Sequence, residues 1–395
     1  MSDTEVASAS GPPVATDEPP QVDVTDGGPD MVQFLDADGQ RVSPSEVSEP
    51  YSSYLDDVTE DDLRAFYRDL VLVRRVDAEG FALQRQGELG LWPSLLGQEA
   101  AQVGAGRAMR PQDYAFPGYR EHGVAWCKGV DPVNLLGMFR GVNHGGWDAA
   151  ENHFHLYTIV IGNQMLHATG YAMGVTRDGA VGTGDPDRDT AVMAFTGDGG
   201  TAQGDYNEAL VFAAVTQAPV VFFVQNNHWA ISEPNDKQFT IGVYQRARGF
   251  GFPGVRVDGN DVLATYAVTR AALDRARLGQ GPTLIEAFTY RMGAHTTSDD
   301  PTKYRIEAEV DLWRAKDPID RLRAYLLAQE LVDQAWLDDL GLEADELARR
   351  IRRSCQQMPD PEHSAMFEHV YAEPHPGVER EARELAEYLA GFEED

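Results

Sequence analysis

Asp198 and Asn227 each close an apolar run, so a carboxylate and a carboxamide stand at the ends of two expected strands. The first run reads Ala191-Val192-Met193-Ala194-Phe195-Thr196-Gly197-Asp198-Gly199-Gly200. The second reads Pro219-Val220-Val221-Phe222-Phe223-Val224-Gln225-Asn226-Asn227. One helix-length segment, Gly204 to Gln217, lies between them. Two hard oxygen donors at adjacent strand ends suit a Mg²⁺ ion carrying a diphosphate. Mg²⁺ takes about six oxygens in an octahedron. Asp198, the Asn227 side chain and a nearby backbone carbonyl, that of Trp229, leave room for two diphosphate oxygens and a water. Gly197, Gly199 and Gly200 let the backbone approach the phosphates, and a helix starting near Gly204 offers its positive N-terminus.

The stretch Gly197 to Ala202 also fits the loose G-x-G-x-x-A pattern of a dinucleotide fold. Two features argue against NAD. An acid between the first two glycines repels a bare pyrophosphate but suits one that carries a cation. A dinucleotide fold also places Asp or Glu at the end of the next strand to hold a ribose, where this chain has Asn226-Asn227. The plainer alternative, Asp198 capping a helix and Asn227 capping a turn, leaves the shared strand-end placement without a reason.

The elements that must position these groups follow from pattern. Thr59-Glu60-Asp61-Asp62 caps an amphipathic helix to about Gln84, with Leu63, Phe66, Tyr67, Leu70 and Val73 as its apolar stripe. A helix runs from Glu99 to about Met109, and Ile159 to Val175 reads as loop into buried helix. Strands are expected at 191–196, 219–225, 255–257 and 283–290, with a helix from Val262 to Leu278. This alternation predicts an α/β fold, a parallel sheet flanked by helices. Helices at 318–328, 332–355 and 377–391 read as a charged outer shell or a partner-facing arm.

The chain has 395 residues, with 33 basic against 64 acidic, for a net charge of −31. Such a surface repels nucleic acid and anionic membrane. Lys occurs only at 128, 237, 303 and 316, which fits a salt-tolerant cytoplasm or a GC-rich genome equally. Cys127 and Cys355 form no CxxC pair, which argues against a disulfide framework or a zinc site and fits a reducing, cytoplasmic setting. No apolar stretch is long enough to span a bilayer. The first 50 residues, rich in Pro, Ser and Asp, read as a solvated acidic tail without signal-peptide features. The segment Asn143 to His155, with three histidines, reads as a surface loop rather than a metal site.

Gly197-Asp198-Gly199 followed by Asn226-Asn227 resembles the thiamine diphosphate motif, GDG with NN about 30 residues on. Longer segments resemble the alpha subunit of the decarboxylating first component of 2-oxo acid dehydrogenase complexes. They are Gly97-Gln98-Glu99-Ala100, Tyr119-Arg120-Glu121-His122-Gly123, Gly204-Asp205-Tyr206-Asn207-Glu208-Ala209-Leu210, Asn226-Asn227-His228-Trp229-Ala230-Ile231-Ser232 and Tyr290 to Pro301. The resemblance covers about Thr59 to Pro359. It implies the thiamine diphosphate-binding fold over residues 51–320, after the 1–50 tail and before a helical C-terminal extension at 321–395.

The resemblance also implies roles. Tyr119 and Arg120 match the pair that grips the diphosphate, where a guanidinium pairs well with phosphate oxygens. Ile161, with Ile159 beside it, matches the apolar wedge that bends the cofactor. Gln164 falls in the loop that binds a monovalent cation in some members. His295 matches the histidine facing the reacting carbon, and His122 is a second candidate in the substrate channel. Trp229 stands where many relatives carry Tyr, and Gln225 where relatives carry Arg or Glu at a phosphate contact. Glu99 lies in this chain's own helix. The glutamate that must face the aminopyrimidine ring is therefore expected from a beta subunit, in an alpha-two, beta-two heterotetramer.

The implied reaction is oxidative decarboxylation of a 2-oxo acid with transfer of the acyl group to a lipoyl arm on the acyltransferase core. His122 leans to pyruvate, while Ala230-Ile231-Ser232 and the Thr296 to Asp300 run lean to branched-chain 2-oxo acids such as 2-oxoisovalerate. The rivals are an acetoin dehydrogenase alpha subunit, an NAD-binding oxidoreductase and a cofactor-dead regulatory subunit. Thr296, Thr297 and Ser298 lie where some relatives are phosphorylated.

Overall fold

A computed structural model describes Gly28, residues 30–143 and residues 145–393. Among the described residues six strands form one sheet in which every neighbouring pair is parallel. They are β1 (Met31–Val32), β2 (Tyr114–Phe116), β3 (Val192–Gly197), β4 (Val220–Asn226), β7 (Gly254–Asp258) and β8 (Thr283–Phe288). A separate antiparallel pair, β5 (Trp229–Ala230) and β6 (Glu233–Pro234), follows β4. The spatial order is β1-β7-β8-β4-β3-β2.

The apolar runs are continuous because the central strands are buried on both faces. Successive side chains alternate between two cores. Met193, Phe195, Val221, Phe223 and Ile285 join one. Val192, Ala194, Val220, Phe222, Val224 and Leu284 join the other. Helices Glu60–Arg85, Glu99–Ala108 and Val262–Arg277 cover the first face, through residues such as Leu70, Val103 and Leu263. Helices Asn163–Arg177 and Gly204–Thr216 cover the second, through Met165, Tyr206 and Leu210. The expected cap is present: Thr59 accepts from the Asp62 N–H, and the Asp62 carboxylate accepts from the Thr59 N–H.

Three expectations need correction. The solvated-tail reading fails from about residue 30 onward; residues 1–27 lie outside the described residues. Met31 and Val32 pair with Arg256 and Val257. Phe34 and Leu35 are buried in the main core. The physical cause is Asp261: one carboxylate oxygen accepts from the Phe34 and Leu35 N–H groups, both at 2.7 Å. The other caps helix Val262–Arg277, accepting from Leu263 N and Ala264 N. The boundary at 320/321 falls inside helix Pro318–Ala328, which is not a separate extension. That helix and Gln334–Gln356 bury Leu322, Leu326, Leu340 and Ile351 in the main core, so they are not an outer shell. Helix Pro376–Glu393 stays apart from that core, with Tyr388 exposed.

Asp261→Ala removes one acid that serves four backbone donors. Each buried donor left without a partner costs about 1–3 kcal/mol. The expected loss exceeds about 2 kcal/mol on that basis, with partial recovery in Asp261→Asn. Thermal or denaturant unfolding measures it, and an unchanged midpoint in Asp261→Ala contradicts the clamp.

Candidate active site

Four neighbouring strands deliver the site. In the order β8-β4-β3-β2, their carboxyl ends lead into Arg291 and His295, into Asn227, into Asp198, and into Tyr119 and Arg120. Ligands of open α/β sheets bind outside these strand ends. A cavity of about 170 Å³ opens there. Its walls include Tyr119, Arg120, Ile161, Gly197, Asp198, Gly199, Gly200, Asn227, Trp229 and His295.

Asp198 is buried, and burial raises its carboxyl to about 6 against the pull of a Gln238 amide that donates to it at 2.9 Å. A cation beside the carboxylate would favour the charged form. The Asn227 carboxamide is oriented by its neighbours: its nitrogen donates to Gln98 Oε1 at 3.0 Å, and its oxygen accepts from Trp229 N at 3.3 Å. The Trp229 carbonyl accepts from Arg291 Nη1 at 3.1 Å and keeps a second lone pair. One carboxylate, one carboxamide and one carbonyl form the hard oxygen set that Mg²⁺ takes. Among the described residues no group of three His, Cys, Asp or Glu side chains is arranged for a metal. The set here contains only one of those residue types. Gln98 Nε2 is buried without a protein partner on the cavity wall, a donor left for an anionic ligand.

The two asparagines divide their work. Asn226 is structural: it donates to Glu286 Oε1 at 2.6 Å and accepts from Asn235 Nδ2 at 2.7 Å. The glycines also serve packing. A Cβ on Gly200 would meet Thr196 Oγ1 at 2.1 Å, and one on Gly199 would meet Ala230 Cβ at 2.7 Å. Those two are small so that the turn can pack on β3 and the β5 hairpin. Only Gly197 has room for a Cβ, which would come no closer than 4.0 Å to Gln225 O.

His295 sits between two guanidinium groups. Its Nδ1 lies 3.2 Å from Arg120 Nη2 and 3.3 Å from Arg291 Nη1. Arginine only donates, so Nδ1 accepts and the ring proton is on Nε2. Burial, then the Arg120 and Arg291 charges, push its pKa down to about 3. The imidazole is therefore neutral near neutral pH. Its backbone N–H donates to Asp299 at 2.8 Å, and Tyr304, held by Arg291 Nη2 at 2.9 Å, donates to the same carboxylate oxygen. Arg120 also donates to the His295 carbonyl at 2.8 Å and to Ser94 O.

His122 does not line this cavity, against its expected place in the substrate channel. It is buried and stacked on Trp92 at 4.4 Å, with Nε2 on Pro93 O at 3.0 Å and Nδ1 on Tyr157 OH at 2.7 Å. Both ring nitrogens are engaged, and burial pushes its pKa down to about 3. Ile159 is exposed and faces an adjoining apolar groove with Leu91, Pro93, Met138 and Phe139. Ile161 and His295 line both spaces. Gln164 reaches the cavity, donates to Phe195 O at 2.8 Å, and leaves its oxygen without a protein partner. Glu99 instead pairs with Arg74 at 2.9 Å. His144 lies outside the described residues, while His153 and His155 pack against Tyr114 and Phe116.

Sequence reasoning did not single out Gln98, Glu121, Gln238, Arg291, Asp299 or Tyr304. Gln98, Glu121, Arg291 and Asp299 lay inside the quoted segments, so a reading of every polar residue there would have found them. Gln238 and Tyr304 carry no local signal.

The family model described as "Dehydrogenase E1 component" matches residues 67–362. The 3-methyl-2-oxobutanoate dehydrogenase subunit alpha of Mycobacterium tuberculosis is 44% identical over 352 residues, 89% of this chain and 94% of the relative. The pyruvate dehydrogenase E1 component subunit alpha of Acholeplasma laidlawii is 39% identical over 336 residues, 83% of this chain and 94% of the relative. Its counterpart in Staphylococcus aureus is 37% identical over 322 residues, 81% of this chain and 82% of the relative.

Replacing Arg291 by Met removes one of the two charges that oppose protonation of His295. Its pKa should rise toward the ordinary value of about 6.5. Imidazole NMR should show His295 as the Nε2–H tautomer, still neutral at pH 5, in the parent and partly protonated there in the variant. An equal titration in both proteins contradicts the electrostatic account.

Proposed function

The chain belongs to the dehydrogenase E1 component family, as the alpha subunit of a 2-oxo acid dehydrogenase, and from that premise we propose that its cavity holds Mg²⁺-thiamine diphosphate. The supporting observation is the oxygen set of Asp198, Asn227 and Trp229 beside the unpartnered Gln98 donor and the Arg120 guanidinium. Asp198, Asn227 and the Trp229 carbonyl hold the metal, while Tyr119, Arg120 and the Gly197 to Gly200 turn receive the diphosphate. Ile161 supports the bent cofactor from the apolar side, with Ile159 beyond it, and Gln164 offers its free oxygen to a monovalent cation. Thiamine diphosphate supplies a nucleophilic carbon and an electron sink for decarboxylation.

This chain's residues then do the rest. Neutral His295 presents Nε2–H to the cavity as a donor to the substrate's oxygen or carboxylate. Arg120 and Arg291 fix that tautomer. The lining carboxyl groups are Asp198 and Glu121. The first belongs to the metal, and the second is bonded to the Gln225 amide at 2.7 Å. The family resemblance, with both lining carboxyl groups already engaged, supports assigning the glutamate for the aminopyrimidine to a beta subunit, in an alpha-two, beta-two assembly serving a lipoyl acyltransferase core in the cytoplasm. The substrate is a 2-oxo acid, branched-chain or pyruvate. The apolar groove beside His295 supports the branched-chain side, and His122, turned away, no longer argues for pyruvate.

Mixed with its beta subunit, Mg²⁺ and thiamine diphosphate, the protein should decarboxylate 2-oxo acids and acylate a lipoyl acceptor. Asp198→Ala should weaken cofactor binding at least about 100-fold, above the roughly 10–100-fold typical of outer-shell partners. Calorimetry and a panel of pyruvate, 2-oxoisovalerate and 2-oxoisocaproate test this. Turnover of none of them would falsify the assignment.

A further inference from the structure

Gln225 occupies the wall of the cavity at the end of β4, yet neither end of its carboxamide is free. Its oxygen accepts from Gln102 Nε2 at 2.9 Å, and its nitrogen donates to Glu121 Oε1 at 2.7 Å. The other Glu121 oxygen accepts from the Arg120 N–H at 3.3 Å. Gln102 closes the loop from the far side: its nitrogen donates to the Arg120 carbonyl at 3.0 Å, and its oxygen accepts from Gly123 N at 2.8 Å. Gln102, Glu121 and Gln225 are all buried. Gln102 does not line the cavity.

We propose that Gln102 and Gln225 are positioning residues which, through Glu121, fix the Tyr119–Arg120 segment against the cavity, and that Gln225 is not itself a phosphate ligand. The proposal rests on the reading of the cavity as a cofactor site. Segment 117–123 leaves β2 without a strand partner beyond Phe116. Gly118 O, Arg120 O and Glu121 O accept from backbone N–H groups, but the Arg120 and Gly123 N–H groups have side chains as their partners. The relay meets that need with two amides and one carboxyl, and every donor in it points at an acceptor. It ties the segment to helix Glu99–Ala108 on one side and to β4 on the other. Burial raises the Glu121 carboxyl above its ordinary range, while the bonds it accepts from Arg120 N and Gln225 pull the other way. The Arg120 backbone is held on both sides, and its guanidinium, which also meets Ser94 O and His295, keeps further donors for the ligand.

The two roles for Gln225 predict different variants. Gln225→Glu sets a second carboxyl against Glu121 and should raise the Kd for Mg²⁺-thiamine diphosphate about tenfold or more, as expected when buried hydrogen bonds are lost. Combining it with Glu121→Gln reverses the relay while keeping a donor opposite each acceptor, and should restore binding to within about threefold, a coupling that the double-mutant cycle reads directly. A phosphate ligand at 225 predicts no rescue, because the new acid repels the diphosphate in either background.

Gln102→Leu gives a second arm that does not touch the ligand. It should raise the cofactor KM about tenfold on the same grounds while kcat at saturation stays within about twofold. Calorimetry and kinetics on the assembled alpha–beta enzyme give both readouts. If the single variant at 225 fails to fold, the Gln102→Leu arm still decides. An unchanged cofactor KM in Gln102→Leu, or no rescue in the double variant, overturns the relay. Absence of cofactor binding by the parent enzyme overturns the cofactor reading instead.

Discussion

The in-register parallel pairing of β3 with β4, Val192 against Val220 through to Gly197 against Gln225, is the constraint on which the site depends. In this register β4 runs one residue past β3, so Asp198 and Asn227 emerge within one residue of the same level. A shift of one residue would turn one of them to the other face of the sheet. The register is held from within by the alternation of two buried cores, Phe195 and Phe223 on one face and Phe222 and Val224 on the other. The chemistry at the strand ends is thus a consequence of packing along the whole length of sheet below it, at about 3.3 Å per residue.

Charge is used sparingly inside an acidic chain. Lysine is nearly absent, and the cations at the cavity are arginines that also serve as frame. Arg291 alone reaches the Trp229 and Ile231 carbonyls, Tyr304 and His295. A planar head with five donors can serve several acceptors at once, which an ammonium on a flexible stem does less well. The same group that orders the Trp229 to Ile231 turn also lowers the imidazole pKa, after burial and the Arg120 charge. Structure and electrostatics are therefore not separable at this position.

Much of this was legible in the chain. Asp198 and Asn227 declared themselves because each ends a long apolar run, a signal local to a few residues. The helices 60–85, 262–277 and 318–328 were legible from caps and stripes. Other features depend on partners distant in sequence. Phe34 and Leu35 look like a brief apolar interruption in a polar tail until Asp261, over two hundred residues on, is seen to receive their N–H groups. His122 stood in a matching segment, but its direction is set by Trp92, Pro93 and Tyr157, none of them adjacent. Gln98 and Gln238 are neutral amides without distinctive spacing, so burial and aim alone reveal them.

His228 has a left-handed backbone, φ +71°, and Ile231 has φ +56°. These two bends reverse the chain over a handful of atoms directly after Asn227. A branched residue such as Ile bears a steric cost there that glycine does not. The bends flank β5, and the Arg291 guanidinium holds the carbonyls of Trp229 and Ile231. Softening either bend and loosening that grip should therefore be felt at the same atoms, those of the Trp229 carbonyl.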